Sequence, residues 1–340
     1  MKNMRMVVLS LAAFALAGCL PAFAQTQWSV TKTLHIGGEG AWDYVTIDSP
    51  GHRLFVTRAT HTQAIDTTTG KVLGDIPGQV RSHGVALVPK LNRGFITDGG
   101  GKGAIIVFDL KTYAVLGSIP TMPDSDGIIY DASQNKVLAV SGDGNALMTF
   151  SPDIDPKTGK VDTIALGGAP EFLATDGNGK VFVNLEDKNV VAVVDLKSNS
   201  VTARWPVAPA GSPVGMAMDP SGKHLFIGCR KPQDLVVMDT ADGKIEATLP
   251  IGAGVDATAA AAGIAFASAG DGNLTVATDK GGKWEVAQTV TTPVSARTMG
   301  MDQATHRIYL AAAETEPGAA PGARPKIKPD TFMIVVVGQK

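Results

Sequence analysis

The feature that most constrains this chain is a unit that recurs seven times along it. The stretch 213–252 shows the unit most clearly, because four short apolar runs at 214–218, 224–229, 235–238 and 245–249 are separated by the turn signals DPSGK, RKPQ and TADGK. Runs of this length between turn signals predict β-strands. The residues that open the first turn of each unit are Asp48, Val88, Asp131, Asp176, Asp219, Ala261 and Asp302. A spacing of roughly 40–45 residues is typical of four-stranded propeller blades, so we predict an all-β, seven-bladed β-propeller.

Composition supports one repeat domain over 25–340 and excludes several function classes. Charged residues make up 18% of the chain, aromatic residues 6%, and there are 39 glycines, a profile typical of many short strands and turns. The formal net charge of −2 gives no electrostatic basis for nucleic-acid binding. The sequence holds no CxxC, CxxCH, HExxH or GxSxG motif, so cytochrome, zinc-protease and serine-hydrolase interpretations lack their usual support.

The first 24 residues are expected to be a signal peptide. Lys2 and Arg5 precede an apolar run at 6–18 that is too short to span a bilayer. Cleavage after Ala24, in an Ala-Phe-Ala sequence, is one interpretation, and a lipobox-like Leu-Ala-Gly before Cys19 is the other. Both predict a periplasmic or secreted protein, either free or anchored through Cys19. After removal of this segment we expect no transmembrane segment, no internal disulfide and a monomer.

The second and third strands of the units resemble those of a known family. Phe95-Ile-Thr-Asp98 is paired with Ile106-Val-Phe-Asp109, and Phe182-Val-Asn is paired with Val193-Val-Asp195. These pairs resemble the YVTN-repeat, YncE-like family of extracytoplasmic seven-bladed propellers. The resemblance extends over essentially the whole mature chain and implies the fold, but it implies no single activity.

The two ends of the chain predict how the ring closes. The last unit ends in a third strand at 332–338, while the segment 28–37 has the alternation and turn exit of a fourth strand. We therefore expect the N-terminal strand to complete the last blade, which pairs an edge that would otherwise be exposed. Residues 314–330 are rich in Pro, Gly and Ala and form an insert in that blade, either as a disordered loop or as a lid over the mouth.

One face of the disc is expected to collect ionisable side chains. First strands are innermost in a propeller, so the residues that open them should surround the central channel. Five positions before each first-turn residue the chain has Asp43, His83, Asp126, Glu171, Val214, Asp256 and Arg297. The ends of the second strands should add Arg58, Asp98, Asp143, Asn184, Glu186, Asp187, Arg230 and Asp271. The opposite face should carry stereotyped turns, with His52, His224 and His306 exposed to solvent.

These residues predict a polar, acidic central funnel. The candidate ligand-binding residues are Asp43, Arg58, His83, Asp98, Asp126, Glu171, Asn184, Glu186, Arg230, Asp256, Asp271 and Arg297. Carboxylates that share a mouth repel one another and some of their pKa values rise, unless arginine or a cation compensates. No cofactor is required by this pattern, but Glu171, Asn184, Asp256 and Asp271 offer hard oxygen ligands to Ca²⁺ or another divalent cation.

The leading functional hypothesis is a binding protein whose funnel takes a small polar ligand or a protein partner. The alternative is an enzyme, because similar propellers include divalent-metal lactonases and lyases, and here His83 or Glu171 would be the base. A partner of a redox system is a third interpretation. Cys229, beside Arg230, is either a nucleophile of lowered pKa or a packed core residue. Trp42 either stacks on a ligand or packs against a neighbouring blade.

Overall fold

The structure is a computed structural model that describes residues 27–316 and 326–340. The expected signal peptide, its two cleavage alternatives and the central part of the insert lie outside these residues. None of the described segments forms a helix long and apolar enough to cross a membrane.

The described chain forms seven four-stranded antiparallel sheets, which confirms the predicted seven-bladed β-propeller. Each blade runs from an inner strand near the axis to an outer strand. Blade 1 consists of β2 (Val45–Asp48), β3 (Arg53–Thr57), β4 (His61–Asp66) and β5 (Val72–Pro77). Blade 2 consists of β6 (Ser82–Val88), β7 (Arg93–Asp98), β8 (Ala104–Asp109) and β9 (Val115–Pro120). Blade 3 consists of β10 (Ser125–Asp131), β11 (Lys136–Ser141), β12 (Ala146–Phe150) and β13 (Asp162–Ala165).

The next three blades follow the same order. Blade 4 consists of β14 (Pro170–Thr175), β15 (Lys180–Leu185), β16 (Val190–Asp195) and β17 (Ser200–Pro206). Blade 5 consists of β18 (Pro213–Met218), β19 (His224–Arg230), β20 (Gln233–Asp239) and β21 (Ile245–Pro250). Blade 6 consists of β22 (Val255–Ala261), β23 (Ile264–Ala269), β24 (Asn273–Asp279) and β25 (Trp284–Thr291). In the described part of the chain, two short 3-10 helices lie in the connections, at Pro89–Leu91 and Glu186–Lys188.

Blade 7 joins the two ends of the described chain. Its strands are β26 (Thr298–Met301), β27 (Ile308–Ala312), β28 (Met333–Gln339) and β1 (Trp28–His35). β1 pairs antiparallel with β28, from Trp28 opposite Gln339 to His35 opposite Met333, so the N-terminal strand completes the last blade as expected. The insert runs between β27 and β28, and its described parts meet at an antiparallel bridge between Thr315 and Ile327.

The core is divided evenly around the ring. Each of seven clusters of buried apolar side chains joins two neighbouring blades, and the cluster between blades 7 and 1 is built like the others. Second strands contribute most of the fully buried aromatic rings, namely Phe55, Phe95, Phe182, Phe226 and Phe266. Burying such a ring stabilises the fold by about 1.5–3 kcal/mol. Packing between blades therefore holds the first strands at fixed positions around the axis.

The turns that join third to fourth strands are held by aspartates. Oδ1 of Asp66 accepts hydrogen bonds from the backbone N–H groups of Thr68 and Thr69, and Asp195 makes the equivalent contacts with Lys197 and Ser198. These aspartates have structural partners, as their position before a hairpin predicts. We call the face that carries these turns the turn face, and the opposite face the mouth face.

One expectation for the turn face is wrong. His52 and His306 are exposed, but His224 is only 9% exposed. Its ring lies between Asp219 and Glu246 and packs edge-on against Trp284, with ring centroids 5.7 Å apart. The partners come from the first turn and the outer strand of blade 5 and from blade 6, so they are not apparent from the local sequence.

Candidate functional site: a polar funnel on the mouth face

Five of the seven residues that open the first strands are placed by a shared local geometry. In β6, β10, β14, β18 and β22 the ring position is the second residue, and the pairing with the second strand shifts register there. Such β-bulges bend the strand and re-aim a side chain. Asp43 and Arg297 lie just before β2 and β26. Ionisable side chains from six blades are therefore carried at equivalent positions on the mouth face.

His83 connects three blades at one side of the funnel. Its Nδ1 lies 2.6 Å from Oδ2 of Asp43 in the preceding blade and 3.6 Å from Oδ1 of Asp126 in the following blade. His83 and Asp126 are each 8% exposed. One candidate ligand atom from each of the three residues lies within 4.8 Å of the others, a grouping that suits a metal ion. We call these three residues the acid–histidine group.

Burial and charge alter proton binding in this group. Burial raises the pKa of Asp126 to about 6; the charge of Asp43 adds to the rise, whereas His83 and a hydrogen bond with Tyr44 oppose it. For His83, burial favours the neutral ring, but the hydrogen bond to Asp43 and the charges of Asp126 and Asp43 outweigh it and raise the pKa. The carboxyl group of Asp126 and the imidazole of His83 thus each hold a proton more strongly than they would in water.

Glu171 provides a second carboxyl with a raised pKa. Burial raises its pKa to about 8, and the charges of Asp126 and Glu186 add to the effect, with partial compensation from Arg230. Glu171 also shares a hydrogen bond with Glu186, which in turn accepts one from Ser212 at 2.7 Å. A carboxyl pair of this kind is favourable when one member holds a proton, so Glu171 is largely protonated at neutral pH.

The other side of the funnel is basic. Arg230 and Arg297 both donate to the carboxylate of Asp256, one to each oxygen. Arg230 also lies 3.7 Å from Glu186, which links the basic side to the acidic one. The two arginine side chains keep 34% and 33% of their surface exposed. Their guanidinium groups therefore remain accessible at the mouth although their positive charges are partly neutralised.

An aromatic pair crosses the axis next to the ring residues. Tyr44 of blade 1 and Phe172 of blade 4 stack with centroids 5.2 Å apart and planes at 24°. These blades lie on opposite sides of a seven-membered ring, so the pair spans the channel and forms a floor. A cavity of about 70 Å³ lies beside it. Burial, followed by the charges of Asp126 and other carboxylates, raises the pKa of Tyr44 well above its ordinary value.

Tyr44 and Phe172 each directly follow a ring residue, and the residues at this position in the other blades explain why the channel has room for only these two rings. In three other blades the corresponding residues are Gly84, Gly127 and Gly215. A Cβ added at Gly84 would lie 2.8 Å from Ile128, and one at Gly127 would lie 2.8 Å from the carbonyl oxygen of Glu171. At these glycines the first strands approach one another too closely for a side chain, and the other two blades carry Ala257 and Thr298 at this position. We did not predict the floor, although two aromatic residues in a column of otherwise small residues were a visible signal.

Four of the candidate residues have structural partners at the rim instead of facing the acid–histidine group. Arg58 is 1% exposed, donates to backbone carbonyl groups of residues 37–41 and lies 3.8 Å from the centroid of Phe332. Asp98 accepts from the N–H groups of residues 80, 81 and 100. Asp271 accepts from those of residues 253 and 273. Asn184 is fully buried and donates to the carbonyl groups of residues 214 and 215 in blade 5.

The oxygen set that we expected to bind a divalent ion is not brought together. Among the described residues the carboxylates of Glu171, Asp256 and Asp271 do not form a close group of potential ligands; the acid–histidine group does. Asp256 is instead held by two arginines. Backbone N–H groups and guanidinium groups satisfy these oxygens, and sequence spacing does not reveal such partners.

Two smaller expectations are resolved by burial. Cys229 is buried, and burial raises the pKa of its thiol to about 12. The interpretation as a nucleophile of lowered pKa is therefore wrong, and Cys229 is a packed core residue. Trp42 is 7% exposed and its ring lies 5.4 Å from that of Phe332, between blades 1 and 7. It therefore packs between blades.

Fold and site together define a seven-bladed β-propeller with an ionisable mouth closed by an aromatic floor. In sequence the chain is 32% identical over 120 residues to the uncharacterized protein YncE of Salmonella typhimurium, a match that covers 34% of this chain and 30% of that protein. The YncE protein of Salmonella typhi matches equally, at 32% over 120 residues. These similarities and the seven blades fit a YncE-like propeller family. The chain spans about a third of the length of these curated relatives. No family model matches the chain.

Other similarities extend the comparison. The chain is 38% identical over 66 residues to hydrazine synthase subunit beta of Kuenenia stuttgartiensis, which covers 18% of this chain and 16% of that protein. A solved structure of Kuenenia stuttgartiensis hydrazine synthase superposes with a TM-score of 0.68 at 13% identity, over 88% of this chain and 96% of that one. The RRP9 WD40 repeats superpose with a TM-score of 0.78 at 11% identity, over 93% and 100%. At such low identity these structures show the fold alone.

Proposed function

We propose that this protein is a periplasmic binding propeller whose funnel takes a small polar ligand. The observation that supports this most is the convergence of ionisable side chains from six blades on one mouth. Three of them, Asp126, Glu171 and His83, have pKa values displaced by burial and by one another. Groups perturbed in this way concentrate at functional sites.

The distribution of charge indicates the kind of ligand. Carboxyl groups of Asp43, Asp126 and Glu171 occupy one side, and the exposed parts of Arg230 and Arg297 occupy the other. A ligand with a cationic or hydrogen-bond-donating group would relieve repulsion on the acidic side. An anionic group on the same ligand would be attracted to the guanidinium groups. A small zwitterion fits this arrangement best.

Thermal-shift and calorimetric titrations test the proposal. Amino acids, polyamines and dicarboxylates are titrated into the protein, and we expect zwitterionic or cationic members to raise the Tm and to bind at one site per chain. Glu171→Gln should weaken that binding about tenfold. Glu285→Gln, a change at a glutamate on the outer strand β25, is the matched control and should leave it unchanged. Equal binding by both variants would contradict the funnel as the site.

A protein partner that inserts a polar side chain into the same funnel is a second form of the proposal. Similarity to a subunit of hydrazine synthase supports this form, because that relative is by name part of an assembly. A periplasmic extract passed over immobilised wild-type protein and Glu171→Gln compares the two surfaces directly. A partner retained equally by both variants would place the contact outside the funnel. Fractionation of cells separately tests the periplasmic location.

A hydrolase or lyase is the alternative that one observation favours. A carboxyl group with a pKa of about 8 exchanges protons near neutral pH, as a general acid or base must, and Glu171 has this property. A screen of lactones with added divalent cations tests the alternative. Turnover by the wild type that falls at least a hundredfold in Glu171→Gln would favour the enzyme over the binding protein.

A further inference from the structure

Two buried histidines in this molecule each lie between two carboxylates, and the two arrangements differ. Nδ1 of His224 lies 3.2 Å from Asp219 and its Nε2 lies 3.1 Å from Glu246, so each ring nitrogen faces one carboxylate. For His83 both carboxylates, Asp43 and Asp126, approach the same nitrogen, Nδ1. In the first arrangement each carboxylate has its own ring nitrogen, whereas in the second both carboxylates compete for the same nitrogen.

One N–H group does not satisfy both carboxylates of His83. Nδ1 lies 2.6 Å from Asp43 and has one hydrogen to donate. Asp126 has a hydrogen bond with Tyr44, but its Oδ1, 3.6 Å from Nδ1 of His83, is buried and has no hydrogen-bond partner among the described residues. A buried carboxylate oxygen without a partner costs free energy. A cation between the three groups would supply the missing interaction.

We propose that Asp43, His83 and Asp126 bind a divalent transition-metal ion such as Zn²⁺, through Nδ1 and one oxygen of each carboxylate. This inference rests on the proposed function only in placing a ligand within the same funnel. It replaces the calcium set expected from the sequence with a group from three consecutive blades.

The geometry and the donor atoms select this class of metal. Tetrahedral zinc sites with bonds of about 2.0 Å place ligand atoms about 3.3 Å apart, and the separations of 2.6 and 3.6 Å from Nδ1 lie on either side of that value. Imidazole nitrogen suits zinc and its neighbours, whereas calcium takes six to eight oxygens. Three protein ligands also leave a fourth position for a ligand or water from the funnel.

The backbone around His83 favours Nδ1 as the metal-binding atom. Nε2 is buried, has no partner within 27–316 and 326–340, and faces Gly99, where an added Cβ would lie 3.0 Å from it. The ring is therefore packed against the backbone on its Nε2 side. Only the Nδ1 side faces Asp43 and Asp126.

The test uses metal-free protein and the metal alone. Zn²⁺, Ca²⁺ and Mg²⁺ are titrated separately, and we expect one Zn²⁺ per chain with a raised Tm and at least a hundredfold weaker binding of the other two ions. His83→Ala and Asp126→Asn should each weaken zinc binding at least a hundredfold. His224→Ala removes the other buried histidine and should leave zinc binding unchanged. Co²⁺ should show the visible absorption of a low-symmetry site in the wild type and lose it in His83→Ala.

Several outcomes would overturn the inference: no stoichiometric zinc binding by the wild type, equal binding by His83→Ala, or loss of binding in His224→Ala instead. Circular dichroism checks the fold of each variant, and Asp43→Asn serves as a second probe if His83→Ala does not fold. Binding of organic zwitterions without zinc binding would overturn this inference and leave the proposed function intact. Zinc binding by a protein that binds none of the organic ligands would support this inference and contradict the proposed function.

Discussion

The two ends of strand β10 carry aspartates with opposite properties. Asp126 opens the strand on the mouth face, and burial raises its pKa to about 6. Asp131 ends the strand on the turn face. Burial alone would raise its pKa too, but hydrogen bonds from Ser133, Thr175 and Gln134 outweigh burial and lower it. Four residues of one strand thus separate a carboxylate that the fold stabilises from one that it leaves poorly satisfied.

The same contrast extends to the two faces. On the turn face, backbone hydrogen bonds from the following residues lower the pKa values of Asp66, Asp109 and Asp195. On the mouth face, burial raises the pKa values of Asp126 and Glu171. Carboxylates on the turn face therefore contribute to stability, and those on the mouth face are retained at a cost that binding would explain.

The largest expected effect on stability comes from Arg58, a mouth-face residue that stabilises the fold as the turn-face carboxylates do. Arg58→Ala should destabilise the protein by about 3 kcal/mol, because it removes a buried guanidinium group that donates to carbonyl groups of residues 37–41 and packs on Phe332. Chemical denaturation measures the change. Arg81→Ala, at an arginine whose side chain is 57% exposed, is the control and should change stability by less than about 0.5 kcal/mol. Similar losses in both would show that Arg58 is not specially buried or bonded.

The next effect compares the two ends of β10 directly. Asp131→Asn should cost about 1–2 kcal/mol, since an amide cannot accept all the hydrogen bonds that Ser133, Gln134 and Thr175 donate. Asp126→Asn should cost less than about 0.5 kcal/mol at pH 8, because it removes a charge that burial disfavours. Urea denaturation of the two variants measures both. The reverse order of stabilities would break the comparison.

A smaller effect concerns pH. The pKa of Glu171 is raised in the folded protein from an ordinary 4.5 to about 8, so the folded state holds a proton that the unfolded state loses between these values. Its contribution to stability is therefore present at low pH and is lost as pH rises towards 8. In Glu171→Gln the loss between pH 6 and 9 should be smaller by about 1–2 kcal/mol.

Denaturation curves at several pH values provide the measurement. Glu285→Gln is the control, because the hydrogen bond and charge of Lys280 lower the pKa of Glu285, and it should keep the wild-type slope over this range. An unchanged slope in Glu171→Gln would show that its carboxyl is ionised at neutral pH.

The smallest effect is expected in an exposed turn. Asp195→Ala removes the acceptor for the N–H groups of Lys197 and Ser198 and should lower the Tm by less than about 3 °C. Lys197→Ala is the control, because it keeps both of these backbone hydrogen bonds, and it should lower the Tm less than Asp195→Ala does. A thermal melt of the two variants separates them. A larger loss in Asp195→Ala than in Asp131→Asn would contradict the ranking of turn-face aspartates by burial.

The sequence predicted the fold well because strand positions depend on local spacing and turn signals. The same spacing located Asp43, His83 and Asp126 at equivalent positions, and the structure brings their side chains together. It did not reveal that backbone N–H groups hold Asp98 and Asp271, or that Glu246 and Trp284 cover His224. Those partners lie in other strands or loops, and only the register and packing of the sheets bring them into contact.

The pairing of β1 with β28 also affects when the funnel can exist. Trp28 must meet Gln339, at the far end of the described chain, before blade 7 is complete. During synthesis six blades emerge before that partner does, and contacts of such long sequence separation form slowly. The first strands surround a common axis only once the ring is shut, so the mouth that they line is the last feature of this molecule to mature.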